Sequence, residues 1–493
     1  RAGDFPGSAA LDRLRRASTA RVARARIRPH HAGRDALTES RPLAPTARRP
    51  ARRNATPFVL AICTFIAAIL NHPALAQSLS QTERANGAAP TTVATIAGYP
   101  DFEIVESAPI ETSLDHPDIR NAEEVWLEMI RGAKESLDFA EFYTSDNGSD
   151  SNDAIDRVLH EIETAAARGV KVRFMTSSSF YKTYPQIVDR LRATIGDGAT
   201  NVGSVSKAGG VLLIDYKKIA GGVLHAKYFV VDNEETYLGS QNFDWRALDH
   251  IQELGVRVRS HQVSAAFAAV YASDWLDALL QAGIKPQSEY PPMLEHYPVV
   301  SIHDGDTLEV RPVASPVKHR FEEAWDEPRI VALIDSAKTS VSVQLLTYRP
   351  VSGGEYYDVL EGALKRAAAR GVQVRLLVAD WCKRPTTIPY IKSLTFVPNV
   401  QVRMMTIPEW SGGFIPYART IHAKYMVVDG RAGWIGTSNW EKDYFYESRN
   451  VGVIVESAKI GGILTRFFDG NWESEYAYAV DPTVEYEVPR IGE

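Results

Sequence analysis

The sequence predicts an α/β protein made of two duplicated α/β/α sandwich domains, related by a pseudo-twofold axis and sharing an active site at their interface. Three observations predict it. A short motif occurs twice, as His225-Ala-Lys227-Tyr-Phe-Val-Val-Asp232 and as His422-Ala-Lys424-Tyr-Met-Val-Val-Asp429. Two flanking segments repeat in step with it. Ala133-Lys-Glu-Ser-Leu-Asp-Phe-Ala-Glu-Phe-Tyr143 resembles Ala337-Lys-Thr-Ser-Val-Ser-Val-Gln-Leu-Leu-Thr-Tyr348, and Ala165–Arg173 matches Ala367–Arg375. Each flanking segment reads as a helix followed by a buried strand, so both halves alternate the two as layered α/β sheets do. Offsets of 204, 202 and 197 residues between partners indicate one unit copied once, with a period too long for a solenoid.

In chain order, the first element is an address. The chain has 493 residues, enough for two core-sized domains, and a formal net charge of −6. Residues 1–76 carry 14 Lys+Arg against 4 Asp+Glu, leaving 41 against 57 in the remainder, a net of −16. An acidic body argues against coating long polyanions by bulk electrostatics, although it permits a locally basic pocket. Arg48, Arg49, Arg52 and Arg53 precede the apolar run Phe58–Leu70, and Pro73-Ala-Leu-Ala76-Gln77 follows it. The run is shorter than the roughly 20 residues of a membrane span. This order predicts a secretory signal cut after Ala76 and an exported protein, periplasmic or secreted. A buried helix, a signal anchor or a twin-arginine signal is the alternative. Cys63 falls inside the signal, so Cys382 stands alone in the mature chain, without a disulfide or a cysteine metal site.

Residues 77–99, rich in Ala, Thr, Ser and Gln, read as a linker. The N-terminal domain then spans 100–290 and the C-terminal domain 291–493, divided at the proline-rich Lys285-Pro286 and Tyr290-Pro-Pro292. Gly169 and Gly371 close corresponding helices. In each half the motif forms a strand, in which residues two apart share a face. His225 and Lys227 therefore point together, as do His422 and Lys424. Asp232 and Asp429, seven positions on, point away and are assigned a structural or orienting role. Each motif runs at matching distance into a small-residue turn, Gly239-Ser240-Gln241-Asn242 and Gly436-Thr437-Ser438-Asn439.

Two His, two Lys and two Asn in duplicate are the parts of a covalent phosphoryl-transfer site. Lys and Asn donors aimed at the non-bridging oxygens would neutralise an anionic phosphodiester and its transition state. One neutral imidazole can attack phosphorus while the other, protonated, serves the leaving oxygen and later activates water. The expectation here is His225 as nucleophile and His422 as acid and base. Each His needs an orienting carboxylate, for which Glu253 and Glu447 are the candidates; by simple count Asn450 stands where Glu253 would align. Ser240 and Thr437 could add substrate-binding hydroxyls. A lone copy of the motif would more often be a satisfied core histidine; two copies with the Asn turn in register outweigh that reading. Trp245, Trp440, Tyr444 and Phe445 are either core or pocket walls. Trp410-Ser-Gly-Gly-Phe414 reads as an aromatic-tipped loop.

With these residues in hand, the chain resembles the phospholipase D superfamily, whose HKD motif it carries twice across about 100–490. More narrowly it resembles the branch holding animal endolysosomal 5′ exonucleases and poxvirus envelope relatives. Leu224–Asp232, Tyr237–Arg246 and Glu253–Val256 carry that likeness in the first half, and Ile415–Arg419, Ile435–Trp440 and Tyr444-Phe445 in the second. The resemblance implies a metal-independent phosphodiesterase with no cofactor, working through a phosphohistidine commonly on the first-half His. The disulfides common in the animal proteins cannot form here.

Three functions are open at this point. The first is hydrolysis of single-stranded nucleic-acid ends, favoured by the branch and by aromatics beside the site. The second is hydrolysis or exchange of phospholipid head groups, favoured by the Trp410–Phe414 loop. The third is a silent binding scaffold, opposed by the intact His and Lys pairs. The expected partner is a phosphodiester substrate, bound by a monomer with no obligate protein partner.

Overall fold

The computed structural model describes residues 96–148, 153–200, 209–293, 296–317, 319–352 and 354–492. The expected leader and signal lie outside the described residues, as does the expected linker apart from 96–99. Within that last stretch, Gly98–Tyr99 form a short strand on the edge of the first sheet instead of a linker.

The principal elements of the first half are β1 (Phe102–Ser107), α1 (Ala122–Gly132), β2 (Ser136–Glu141), α2 (Ala154–Ala167), β3 (Lys171–Ser177), β4 (Gly210–Ile214), β5 (Lys227–Val231), β6 (Glu235–Gly239), α3 (Trp245–Asp249), β7 (Glu253–Arg259) and α4 (His261–Gln281). The second half repeats them in order as β8 (Asp306–Ser315), α5 (Asp326–Ser336), β9 (Ser340–Leu345), α6 (Val359–Ala369), β10 (Gln373–Ala379), β11 (Val400–Met405), β12 (Tyr425–Val428), β13 (Ala432–Gly436), α7 (Lys442–Tyr446), β14 (Asn450–Glu456) and α8 (Ala458–Glu473). Each half builds one nine-stranded sheet. The first is ordered β1-β7-β6-β5-β2-β3-β4 and the second β8-β14-β13-β12-β9-β10-β11, each with two short strands added. The motif strands β5 and β12 take the central place, antiparallel to β2 and β9, which run parallel to β3 and β10. The architecture is thus two duplicated α/β/α sandwiches.

Local sequence explains the elements. Ala-Ala-Ala-Arg before Gly169 and before Gly371 favours helix, and the two glycines end it at φ +94° and +91°, values that side chains other than glycine rarely adopt. Ser260 and Ser457 cap α4 and α8 by accepting the amides of Val263 and Ile460. Asp232 and Asp429 both take φ +52° at the tight turns after β5 and β12. There the Asp232 carboxylate accepts the amides of Lys134, Glu135 and Ser136 at 2.7–2.9 Å. Asp429 accepts those of Lys338, Thr339 and Ser340 at 2.8–2.9 Å. Both acids therefore fasten the turn between an outer helix and the next strand.

Outer helices α1 and α2 bury Trp126, Ile130, Ile155 and Val158 against Phe139, Phe174 and Phe229 of the first sheet. Helices α5 and α6 do the same for the second with Ile330, Leu360 and Leu364. The inner helices α4 and α8 belong to one apolar cluster that runs from Tyr228, Phe267 and Trp275 to Val453, Phe467 and Phe468. Helix α4 is long and apolar enough to cross a membrane by composition, but 78% of that window is buried here, as suits a core helix packed on most of its circumference. A polar cluster also joins the halves. Arg449 is bidentate on Asp274 of α4 at 2.8 and 3.0 Å, and His319 Nε2 lies 3.1 Å from Asp277 and 3.4 Å from Asp274.

Candidate active site

The two halves exchange backbone where the motifs begin. Leu224 bridges Arg449, and Gln252 bridges Ile421. The His225 amide donates to the Arg449 carbonyl at 2.9 Å, and the His422 amide to the Gln252 carbonyl at 2.7 Å. Each catalytic-type His is thus anchored at the residue just before the first residue of the other half's β14 or β7. This reciprocal arrangement brings His225 and His422 to one cavity of about 430 Å³.

The exchange decides what orients each ring. His422 Nδ1 lies 2.8 Å from both oxygens of Glu253, so the first-half carboxylate serves the second-half His. His225 Nδ1 lies 3.0 Å from Asn450 Oδ1. Strand register makes Glu253 and Asn450 equivalent, since Gly255 pairs Gly239 and Gly452 pairs Gly436. Glu447, expected beside a His, is exposed and lies against Gly221, because the chain turns between α7 and β14 and only Asn450 enters the sheet. Simple count carried the signal for Asn450.

Ser240 and Thr437 also differ from expectation. The Ser240 hydroxyl donates to the Leu254 carbonyl at 3.1 Å and accepts the Leu254 amide at 3.0 Å. Thr437 donates to Asn450 Oδ1 at 2.9 Å and accepts the Val451 amide at 3.1 Å. Both hydroxyls are used in tying the Asn turn to the adjacent strand, and Thr437 helps aim Asn450 at His225.

Lys227 and Lys424 are buried, and each donates to the carbonyl of its own His, at 2.6 and 2.5 Å. Each keeps further N–H donors beyond that bond. Glu141 faces Lys227 in the strand register, whereas the matching place in the second half is Leu345. Asn242 and Asn439 line the cavity, and the Oδ1 of each has no hydrogen-bond partner among the described residues. The remaining walls are aromatic to an extent the sequence did not disclose. Phe142, Tyr143, Phe180, Tyr184, Trp381, Tyr417 and Tyr444 come from segments scattered over both halves, with Arg246, Thr183 and Thr420 among them. Of the aromatics raised from sequence, Tyr444 is a wall, while Trp440 and Phe445 are core. Trp410 packs on His250, and its neighbour Ser411 bonds Glu111 of the first half.

The electrostatics favour neutral imidazoles at rest. Burial, then the charges of Lys227 and Lys424, holds His225 well below the usual imidazole range, and burial with the same two ammoniums does so for His422. Burial also pushes the Glu253 carboxyl up to about 7, against the pull of Lys424, and brings Lys424 down to about 7. An anion placed between the rings would favour a proton on one of them.

Both halves of the chain resemble known proteins. The family model described as "Cardiolipin synthase, PLD-like domain" matches residues 126–275 and again 330–472, one match per half. The chain is 31% identical over 415 residues to a 5'-3' exonuclease PLD3 of Bos taurus, covering 78% of this chain and 81% of that protein. It is 27% identical over 412 residues to a 5'-3' exonuclease PLD4 of Homo sapiens, covering 77% and 78%. A crystal structure of phosphatidylserine synthase from Haemophilus influenzae superposes with a TM-score of 0.48 at 11% identity, covering 73% of this chain and 85% of that one. With both repeats matched and the histidine of each brought to the same cavity, the chain belongs to the phospholipase D superfamily of phosphodiesterases, in the branch of these exonuclease-named relatives.

Proposed function

We propose that this chain is an exported 5′ exonuclease on single-stranded nucleic acid, acting without a metal through a phosphohistidine on His422. The carrying observation is the cavity in which the two histidines meet, about 430 Å³ and walled by seven aromatic side chains. Ligand pockets start at roughly 300 Å³, so the space suits a terminal nucleotide unit. Aromatic faces stack any base, worth about 1–3 kcal/mol each, without reading sequence. The exonuclease-named relatives at 27–31% identity support exonuclease action. Export rests on the apolar run and the Ala-Leu-Ala76 pattern, with Gln77 as the expected first residue of the mature protein.

The nucleophile follows from the asymmetry of the orienting groups and reverses the expectation from sequence. A carboxylate accepting the Nδ1 proton raises electron density at Nε2 and stabilises the positive ring that forms when Nε2 bonds phosphorus. His422 has that carboxylate, Glu253. His225 has the neutral Asn450 amide, which leaves its imidazolium unsupported and therefore a stronger acid. In the first step His422 Nε2 attacks phosphorus, the bond to the leaving oxygen breaks, and His225 gives that oxygen its proton. In the second, His225 takes a proton from water, the water oxygen bonds phosphorus, and the phosphorus–nitrogen bond breaks. Lys227, Lys424, Asn242 and Asn439 offset the charge on the non-bridging oxygens.

The test uses a p-nitrophenyl phosphodiester, whose leaving group needs no acid, in excess EDTA. His225→Ala is expected to release about one equivalent of p-nitrophenol and stall with phosphorus on His422. His422→Ala is expected to give no burst. A burst in His422→Ala with the adduct on His225 would return the assignment to the first-half His. In parallel, a 5′-hydroxyl single-stranded oligonucleotide and phosphatidylcholine vesicles are offered to the intact enzyme. Stepwise nucleotide release with silent vesicles is expected, and choline release with an intact oligonucleotide would make the protein a lipase.

A further inference from the structure

The duplication pairs the His, Lys and Asn of the site with counterparts, and the unpaired residues mark where the two half-reactions differ. One of them has no role in the chemistry above. Helix α7 follows Asn439 as α3 follows Asn242, and their caps, Glu441 and Asp244, correspond. Position by position, Tyr444 of α7 falls on Ala247 of α3. The first half thus has a buried methyl group where the second half places a phenol.

That phenol stands beside His225. Its ring meets the His225 imidazole edge-on, with centroids 4.8 Å apart and planes at 85°. Its backbone is fixed by the residue that orients the same His, because Asn450 Nδ2 donates to the Tyr444 carbonyl at 2.9 Å. The Ser315 hydroxyl donates to that carbonyl as well, at 3.0 Å. The side chain lines the cavity, and its oxygen accepts from Asn439 Nδ2 at 3.2 Å. With the oxygen used as acceptor, the phenolic proton has no acceptor among the described residues. Burial and the neighbouring Glu441 raise the phenol above its ordinary range, so it stays a donor at any working pH.

We infer that Tyr444 is a further catalytic residue, whose hydroxyl donates to a non-bridging phosphate oxygen on the His225 side of the site. This rests on reading the cavity as a phosphodiester site. Asn439 and the phenol are adjacent donors to the same edge of the phosphate, and the phenol aids only the half of the site in which the leaving group departs and water arrives. A neutral donor prealigned to a developing charge, in a largely buried site, is worth most in the transition state.

The experiment compares the intact protein with Tyr444→Phe, which keeps the ring, on the p-nitrophenyl phosphodiester and on the oligonucleotide. Unfolding temperature serves as the check on folding. Loss of one such donor lowers kcat by about 10²-fold with KM changed less than about threefold. The decisive readout is a pair of phosphorothioate diastereomers, each replacing one non-bridging oxygen by sulfur. In the intact enzyme one diastereomer is the slower; in Tyr444→Phe that preference is expected to collapse. Equal diastereomer preference in both proteins, or kcat unchanged in a folded variant, overturns the assignment while leaving the phosphodiesterase reading intact. An intact enzyme that cleaves neither substrate overturns both.

Discussion

Glu253 carries the largest single distinction between the two histidines. It is fully buried, sits 2.8 Å from His422 Nδ1, and derives from the half of the chain that does not hold that His. Glu253→Gln keeps the shape and removes the charge that supports a phosphorylated imidazolium. The expected result is a kcat lowered by about 10²–10³-fold, with His225→Ala burst chemistry slowed in the same proportion when the two changes are combined. Its counterpart Asn450→Asp should act in the opposite sense on His225, making it a weaker acid. A Glu253→Gln enzyme within a few-fold of the parent would remove the argument for His422 as nucleophile. Around these two rings lie Ser240, whose hydroxyl serves the backbone of Leu254, and Thr437, whose hydroxyl is shared between the Val451 amide and the Asn450 side chain; a polar side chain next to a site is first claimed by buried groups that cannot be left unpaired.

At the scale of elements, the turns after β5 and β12 hold each sandwich together. Asp429 accepts three backbone amides and the Thr339 hydroxyl from the segment that starts β9. Hydrogen bonds to a charged acceptor contribute about 1.5–3 kcal/mol in favourable cases, so Asp429→Ala is expected to lower stability by about 2 kcal/mol, measured by urea unfolding. Burial opposes ionisation, but the amides of Ser340, Thr339 and Lys338 outweigh it and hold the carboxyl below the usual Asp value. A carboxyl depressed on folding stabilises fully above its unfolded value, near 4. That stabilisation is lost as pH falls through the lower folded value. The parent should therefore lose stability more steeply than Asp429→Ala in acid. Parallel curves would show the carboxylate to be idle.

At the scale of the molecule, the polar cluster of α4 with Arg449 and His319 stands directly behind the cavity histidine His225, since Asn450 follows Arg449 and Leu224 bridges it. Breaking a buried ion pair by removing one partner costs about 3–5 kcal/mol, because the other charge stays unpaired. His319 answers to pH within this cluster. Burial works against its charged form, yet the adjoining carboxylates of Asp274 and Asp277 outweigh burial and the opposing charge of Arg449, and its pKa is raised. Tyr216 packs edge-on against the ring, and Arg320 holds the far side of Asp277. A His raised on folding stabilises fully below its unfolded pKa, near 6.5, and the contribution fades as pH rises through the folded value. Unfolding temperature is therefore expected to fall between pH 6 and pH 8, and His319→Gln should flatten that slope. An unchanged slope would place the pH response elsewhere.

The sequence by itself determined the duplication, the alternation of strand and helix, and the His, Lys and Asn sets. These are recorded in local periodicity and spacing: residues two apart on a strand share a face, Gly169 and Gly371 end helices, and a copied unit keeps its order. The structural role of Asp232 and Asp429 was expected from their distance to the His, but it holds for another reason: the strands end at Val231 and Val428, and each Asp sits in the turn beyond. Only the tertiary structure decided which carboxylate meets which histidine. Glu253 and His422 are 169 residues apart, and they touch because each half's motif pairs its backbone with the other half. The aromatic walls have the same origin, since Phe142, Phe180, Trp381 and Tyr417 come from separate segments, Phe180 and Trp381 from short helical turns, and converge only when the two halves pack. A period in the sequence reports what one element presents to its own sheet; a site between two domains depends on their packing, and the free energy of that packing is spread over an apolar cluster no single segment contains.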